Sequence, residues 1–424
     1  MPDRTLAPAF KPIKSIQLPA IKKIDLPNGV PLYLADFAQQ DVLKLEIYFE
    51  AGHAYAAKTG LKSVFSKMLL EGTSQKSGSE IIEEFSQYGG FPEISQQVTK
   101  LNFTIYGLSK FIGQYMSLTK EILQNATFPE EQLTTQKKIS AQGLQLNLEK
   151  TAYLAKRKMV QELFGANHPY GRSHEAEDIE AVNREDLCEF YQNRIKGKSF
   201  KIFASGKITD EEIKIISDTL GSLPVEETNE ITVSFDQATP GKYLIPKPEN
   251  MQSTLRIARY TAGRKDPDFF KMMVTNTTFG GFFGSRLMKN IREDKGYTYG
   301  ISSSISPVKD KAYMTIGSDV VKQNTLDTLA EIEKEMKIMQ DELISSDELE
   351  LVKNYLAGSF AGSVTTAFEV MTRHKNIILN DLSADYYDTL IDKISEVEPF
   401  DIQQMAQKYF NPSEMIEVIV GEKI

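Results

Sequence analysis

The sequence predicts an α+β fold made of two homologous domains, each an antiparallel β-sheet covered by α-helices. Three observations support this prediction. The chain has 424 residues, which is more than a single hydrophobic core usually accommodates. One set of helix and strand patterns occurs in both halves in the same order. Helices and strands do not alternate strictly, as they would around a doubly wound parallel sheet.

The first element defined by its pattern is an amphipathic helix within residues 60–73. Apolar residues recur there with helical spacing and form one face, namely Leu61, Val64, Phe65, Met68 and Leu69. Ser63, Ser66 and Lys67 therefore share the opposite face of the predicted helix.

The following elements occur twice. Residues 78–90 match residues 284–296 at a constant offset of 206, with apolar and glycine positions in common. A β-rich run follows each copy, over residues 101–108 and 312–318. A helix comes next in both halves, and its apolar stripe in the second half is Leu326, Leu329, Ile332, Met336 and Met339. A further helix is predicted to start near Phe128 in the first half and near Ile344 in the second.

A polar, turn-rich stretch separates the two halves and indicates a hinge. We therefore expect an N-terminal domain over residues 1–225, a linker over 226–241 and a C-terminal domain over 242–424.

Charge, apolar runs and cysteine content indicate which binding partners and cellular locations suit the protein. A net charge of −9 argues against non-specific nucleic-acid binding, and the chain has no apolar run long enough to cross a bilayer. The segment Met1–Lys14 lacks the apolar stretch of a secretory signal, which favours a cytoplasmic protein, although a chain from which a signal had been removed would look the same. The only cysteine, Cys188, is expected to be a buried structural thiol.

Five short motifs are spread along the chain. They are Leu26-Pro-Asn-Gly-Val-Pro-Leu-Tyr, Ala51-Gly-His-Ala-Tyr, Met68-Leu-Leu-Glu-Gly-Thr, His168-Pro-Tyr-Gly-Arg, and Ser285-Arg-Leu with Arg292 to Tyr299. Together they resemble the pitrilysin/insulinase family of inverted-motif zinc peptidases, in its processing-peptidase-like branch. The resemblance covers nearly the whole chain. It implies two homologous domains that face each other across a chamber.

In that family a helix with the motif H-x-x-E-H supplies two zinc ligands and a catalytic glutamate, and a second helix supplies a further glutamate ligand. The resemblance maps these four positions to Ser63, Ser66, Lys67 and Gly143. Hydroxyl groups are poor zinc ligands, and an ammonium group repels the ion. We therefore expect a degenerate zinc site, no cofactor in this chain and no hydrolysis by the chain alone.

The second half retains a different pair of family residues. Arg292 and Tyr299 match the arginine and tyrosine that the family directs at its substrate. A guanidinium and a phenol can donate hydrogen bonds to a peptide carbonyl and to the oxygen that gains charge during hydrolysis. The resemblance thus implies a substrate-binding subunit of a heterodimer, with zinc in a homologous partner subunit and a peptide or unfolded polypeptide as substrate.

Other interpretations remain open at the level of sequence. The chain could be a structural core-type scaffold that has lost proteolytic function, or a stand-alone peptide-binding module. Ser63 and Lys67 could act as nucleophile and base. The glycines at 280, 281 and 284 fit a turn with close backbone approach better than a phosphate-binding loop. His168 and His174 fit structural or exposed roles better than a metal pair.

Overall fold

The computed structural model describes residues 13–236 and 238–422, which form two compact units. The N-terminal unit comprises residues 20–239 and 366–375. The C-terminal unit comprises residues 240–365 and 376–422 together with residues 13–19. Most of the segment Met1–Lys14, on which the prediction of location depends, lies outside the described residues.

The N-terminal unit contains six strands and eight helices among its elements. The strands are β1 (Lys22–Asp25), β2 (Pro31–Ala35), β3 (Val42–Phe49), β4 (Phe91–Gln96), β5 (Leu101–Leu108) and β6 (Phe200–Gly206). The helices are α1 (Leu61–Met68), α2 (Gly78–Gln87), α3 (Ile112–Asn125), α4 (Glu130–Leu148), α5 (Thr151–Phe164), α6 (Ala176–Glu180), α7 (Arg184–Arg194) and α8 (Asp210–Leu220).

The C-terminal unit is built from the same kinds of element. Its strands are β7 (Gly241–Pro246), β8 (Gln252–Thr261), β9 (Thr298–Val308), β10 (Lys311–Val321) and β11 (Ile416–Gly421). The helices that follow β8 are α9 (Phe269–Asn276), α10 (Thr325–Asp341), α11 (Ser346–Gly362), α12 (Ala367–Leu379), α13 (Leu390–Ser395) and α14 (Pro399–Tyr409). Two π-helical segments, Thr277–Gly281 and Met288–Asp294, lie between α9 and β9.

The two sheets have the same topology, which confirms the predicted duplication. The N-terminal sheet has the order β1-β2-β6-β3-β5-β4, and the C-terminal sheet has the order β7-β11-β8-β10-β9. Apart from β1, each strand of the first sheet has a counterpart at the same place in the second. Each sheet also contains one parallel pair, β2 with β6 and β7 with β11, so both are mixed rather than wholly antiparallel.

Successive side chains of a strand point to opposite faces of the sheet, and the apolar set marks the face that packs against the helices. In β3, the buried side chains of Leu43, Leu45 and Ile47 belong to one hydrophobic core with helices α1, α3 and α8. In β10, Met314 and Ile316 belong to the second core, with α10 and α14. The fold class predicted from sequence is thus confirmed for both units.

Predicted elements agree closely with observed ones where the apolar period is long. Strand β5 has the predicted bounds, and the buried face of α1 contains the apolar residues that its spacing indicates. In α10 the predicted stripe is buried except for Leu326, which is 45% exposed. Cys188 is half-buried and packs against the N-terminal core.

Helix α12 is shared between the units, because its residues up to Lys375 belong to the N-terminal unit. There, Lys375 Nζ donates to Glu46 Oε1 of β3 at 2.7 Å. Asn102 Nδ2 donates to the same oxygen at 3.3 Å, and Lys44 Nζ lies 3.2 Å from the other oxygen, Oε2. Glu46 is 2% exposed, so this is a buried ionic cluster on the face of β3 opposite to α1, α3 and α8.

Within the described part of the chain, none of the helices combines the length and the apolar composition needed to cross a bilayer.

Candidate functional site: helix α1 and the pair Arg292 and Tyr299

Helix α1 presents the degenerate positions because its apolar residues anchor it in the core. Val64, Phe65 and Met68 have no exposed surface, so the intervening residues are turned away from the core. Ser63 and Ser66 are partly exposed, and Lys67 is exposed.

The polar face of α1 bonds to neighbouring elements. Ser63 Oγ lies 2.7 Å from His174 Nε2, in the loop before α6. Lys67 Nζ donates to Ser140 Oγ of α4 at 2.9 Å, and Ser140 Oγ donates to the Ser63 carbonyl at 3.1 Å. The face is therefore tied into the fold rather than simply solvated. His174 and Ser140 are the residues of this site that sequence reasoning did not place there.

Gly143 lies on α4, three positions after Ser140. A Cβ at Gly143 would have no neighbouring atom within 4 Å, so a longer side chain could be accommodated there. Residues 13–236 and 238–422 contain no group of three or more His, Cys, Asp or Glu that could hold a metal ion. Ser63, Ser66 and Lys67 offer hydroxyl and ammonium groups, which do not suit zinc, and Gly143 offers no side chain.

The Ser63–His174 pair has unfavourable electrostatics for nucleophilic catalysis. Burial, together with the positive charges of Lys62 and Arg157, lowers the pKa of His174 to about 4. A general base works best when its pKa lies near the working pH, and an imidazole with a pKa of about 4 is a weak base. The hydrogen bond therefore positions both side chains without activating Ser63.

Cationic and imidazole groups surround the start of α1. Burial, with the nearby charges of Lys62 and Arg172, lowers the pKa of His53 to about 4. Burial, with the charges of Arg172 and Arg157, lowers the pKa of Lys62 to about 8. Like charges held together in a partly buried region disfavour one another's protonated forms. The start of α1 therefore lies in a partly buried region with an accumulation of cationic side chains.

Arg292 lies in a helical segment whose final turn contains one residue more than the equivalent turn in the N-terminal unit. At the end of α2, the Gly90 N–H donates to the Phe85 carbonyl, five positions earlier. At the equivalent place in the second half, the Tyr297 N–H donates to the Ile291 carbonyl, six positions earlier. The left-handed glycines at these ends, with φ of +67° in both, are Gly89 and Gly296.

The extra residue has two consequences. The constant offset predicted from sequence holds for the core positions but fails at the glycine, since Gly296 corresponds to Gly89 rather than to Gly90. The additional position is taken up in the π-helical segment Met288–Asp294, which contains Arg292. Single wide turns of this kind occur frequently at functional sites because they redirect side chains. The Arg292 guanidinium lies 4.5 Å from the ring centre of Phe283, which is itself 63% exposed.

Tyr299 lies on a second irregularity, in the edge strand β9. Thr298 pairs with Val320 and Ile301 pairs with Ser318, so Tyr299 and Gly300 together oppose the single residue Asp319. This is a β-bulge, a feature that re-aims side chains at sheet edges. Tyr299 is 94% exposed. In the counterpart strand β4, the register with β5 is unbroken from Phe91 to Gln96.

The remaining sequence-predicted features have structural explanations. A Cβ at Gly280 would lie 2.7 Å from the backbone nitrogen of Ser303, which confirms the predicted close backbone approach. His168 Nε2 lies 2.9 Å from the Ser234 carbonyl oxygen, and its ring stacks on Phe164. His168 therefore holds the segment before the C-terminal unit, while His174 bonds to α1, so the two side chains have different partners.

Family models match most of the chain. The model described as "Insulinase (Peptidase family M16)" matches residues 34–175, and the model described as "Peptidase M16 inactive domain" matches residues 181–356. The chain belongs to peptidase family M16. This result confirms the resemblance that the sequence motifs indicated.

Several relatives and solved structures are similar along nearly the whole chain. An "Uncharacterized zinc protease YmxG" of Bacillus subtilis is 24% identical over 91% of this M16 chain and 94% of its own length. A "Non-peptidase homolog YmxG" of Helicobacter pylori is 23% identical over 89% of both chains. A "Probable mitochondrial-processing peptidase subunit beta" of Arabidopsis thaliana is 20% identical over 63% of this chain and 52% of its own.

Among solved structures, a "peptidase M16 inactive domain" protein from Pseudomonas fluorescens has a TM-score of 0.84 at 20% identity, covering 95% of this chain and 98% of its own. At that level of identity the structural likeness supports the fold alone.

Proposed function

We propose that this M16 protein is a non-catalytic, substrate-binding subunit of a heterodimeric zinc peptidase. Arg292 and Tyr299 contribute hydrogen-bond donors to a site whose zinc ion is carried by a homologous partner subunit. The substrate is a peptide or an unfolded segment of polypeptide. Relatives whose names describe non-peptidase homologues and a processing-peptidase subunit are consistent with this proposal.

The observation that carries the proposal is the exposure of Tyr299 on a bulged edge strand. A tyrosine usually buries most of its ring and bonds its hydroxyl group within the fold. A side chain that is 94% exposed contributes little to folding and is available to contact a bound molecule. Arg292 is partly buried, and the described contacts give its guanidinium the exposed ring of Phe283 and no carboxylate.

The location of both residues on irregular backbone supports the same conclusion. A wide helical turn and a β-bulge each disturb a regular hydrogen-bond pattern, and the counterparts in the N-terminal unit are regular. Such irregularities persist where redirecting a side chain is useful.

The four degenerate positions support the absence of a zinc ion from this subunit. A site with hydroxyl and ammonium groups in place of imidazole and carboxylate offers zinc no suitable ligand. Without a metal-bound water, donors to the developing oxyanion cannot by themselves hydrolyse an amide.

The test is complementation in a mixture. The purified chain is combined with a zinc-bearing M16 homologue, and cleavage of a quenched peptide is followed. Removal of an oxyanion donor typically lowers kcat by about 10²–10³. We expect Arg292→Ala and Tyr299→Phe each to lower kcat, whereas Lys289→Ala, an exposed cation in the same π-helical segment, leaves it unchanged.

Full activity of the Arg292→Ala/Tyr299→Phe double variant in complex would remove the proposed role. Copurification of the chain with membrane redox subunits and without any peptidase homologue would instead support a scaffold. Peptide affinity of the isolated chain that survives in the double variant would support a stand-alone binding module.

A further inference from the structure

Next to the polar face of α1, cationic side chains outnumber the carboxylates that lie near them. Lys62, in the first turn of α1, donates to the Arg172 carbonyl at 3.1 Å. Arg157 of α5 pairs with Glu175, and its positive charge lowers the pKa of Lys62. The second nearby carboxylate, Asp178, accepts a hydrogen bond from the Glu175 N–H at 2.8 Å.

The remaining positive charges have no such compensation. For the described residues, no ion pair joins Lys62 or Arg172 to a carboxylate. Three formal cations, counting Arg157, thus stand against the two carboxylates of Glu175 and Asp178. The surrounding imidazoles of His53 and His174 are uncharged at neutral pH, so the cluster retains an excess of one positive charge.

One donor of the cluster also lacks an acceptor. Arg157 Nη1 has no solvent-exposed surface and no hydrogen-bond partner among the described atoms. A buried N–H of a charged group without an acceptor is costly, and such groups are rare in folded proteins. An oxygen ligand that reached this atom would satisfy the donor and neutralise the excess charge at the same time.

The chemistry of the cluster selects a carboxylate. A monoanion matches an excess of one positive charge, whereas phosphate at neutral pH carries more than one negative charge. A carboxylate has two oxygens, each of which can accept a hydrogen bond from a guanidinium or an ammonium group. Lys62 immediately precedes Ser63, so the ligand would lie beside the positions that zinc ligands occupy in catalytic members of the family.

We propose that Lys62, Arg157 and Arg172 form a carboxylate-binding site in the N-terminal unit, which receives the C-terminal carboxylate or an acidic side chain of a bound peptide. The peptide rests on the proposed function, whereas the affinity for a carboxylate does not. Where catalytic relatives would attract substrate oxygen to a zinc ion, this subunit uses fixed side-chain cations.

The first experiment uses sodium acetate as the probe and the full chain as the protein. Imidazole resonances of His53 and His174 are followed by NMR as acetate is added. Sodium chloride is adjusted so that the ionic strength stays constant. We expect a saturable shift that weakens by about tenfold or more in Lys62→Met, which keeps the apolar stem and removes the charge. Lys214→Met, on the distant surface of α8, should bind acetate as the unaltered chain does.

Stability separates a binding role from a structural one. Acetate should raise the Tm of the unaltered chain and not that of Lys62→Met. Without acetate, Lys62→Met should melt at a temperature close to that of the unaltered chain, since the lost hydrogen bond is offset by relief of repulsion from Arg157 and Arg172. A shift that grows linearly without saturating, or equal binding by both variants, would overturn the proposal.

The second experiment identifies the source of the carboxylate and is independent of zinc. Three acetylated alanine-rich hexapeptides are compared by calorimetry: a free acid, its amide, and the amide with one internal glutamate. Tighter binding of the free acid alone supports recognition of the C-terminus, and tighter binding of the glutamate peptide as well supports recognition of acidic side chains.

The outcomes also distinguish the two proposals. Equal binding of all three peptides would refute the carboxylate site and leave the peptide-binding function standing. Saturable acetate binding without affinity for any of the peptides would support the site and count against peptide binding by this subunit alone.

Discussion

The buried ionic cluster around Glu46 predicts unequal costs for removing its members. Glu46→Gln would leave the ammonium groups of Lys44 and Lys375, each on a side chain 14% exposed, without a carboxylate. Removing one partner of a buried ion pair costs about 3–5 kcal/mol. We therefore expect Glu46→Gln to lower the free energy of unfolding of the N-terminal unit by about that amount.

Lys375→Met should cost less, because the carboxylate keeps Lys44 at 3.2 Å and the amide of Asn102 at 3.3 Å. The loss of one charged hydrogen bond corresponds to about 1.5–3 kcal/mol. The double variant should cost at least about 1 kcal/mol less than the sum of the single variants, since the two changes remove one shared interaction.

The assay has to separate the two units, because two domains need not unfold together. The chain has no tryptophan, so hydrogen exchange measured by mass spectrometry is more informative than fluorescence. Exchange in β3 and in residues 366–375 should accelerate most in Glu46→Gln. The control is Lys22→Met, which removes a surface pair with Asp36 and should leave exchange unchanged. Additive costs in the double variant, or faster exchange in the control, would refute this account of the cluster.

Three further predictions concern the sites themselves. Because the pKa values of His53 and His174 lie near 4 in the folded state against an ordinary 6.5, their stabilising effect is complete above pH 6.5 and is lost as the pH falls towards 4. The Tm should decline over that window, and less steeply in His174→Asn. Gly280→Ala should destabilise the C-terminal unit by about 1–3 kcal/mol in chemical denaturation, since the new Cβ meets the backbone of Ser303. Restoring the zinc ligands of the family at positions 63, 67 and 143 together should produce stoichiometric zinc by elemental analysis, and a metal-free product would contradict the mapping of these three positions.

The features that sequence predicted well are those encoded in local periodicity. The apolar spacing in residues 60–73 determines which side of α1 enters the core. A β-rich run of residues gave strand β5 its bounds. The duplication could be recognised because both halves bury the same positions of equivalent helices. Each of these inferences needs only a short stretch of chain.

Features that depend on distant parts of the chain were not accessible in this way. His174 reaches Ser63 across 111 positions from a loop without periodicity. The parallel strand pairs arise because β6 and β11, at the ends of their halves, insert between strands formed much earlier. The wide turn at Arg292 shifts the correspondence between the two halves by a single residue. A match of short segments does not reveal so small a shift.

The shared helix α12 also limits how this gene product could be divided. A fragment that stopped at the boundary near residue 240 would lack Lys375 and would leave Glu46 with Lys44 as its only ammonium partner within the described contacts. Although the halves have equivalent topologies, the first borrows ten residues of the second to complete its sheet face. Separate expression of the two halves is therefore expected to give an N-terminal product that regains full resistance to proteolysis only when a peptide spanning 366–375 is supplied.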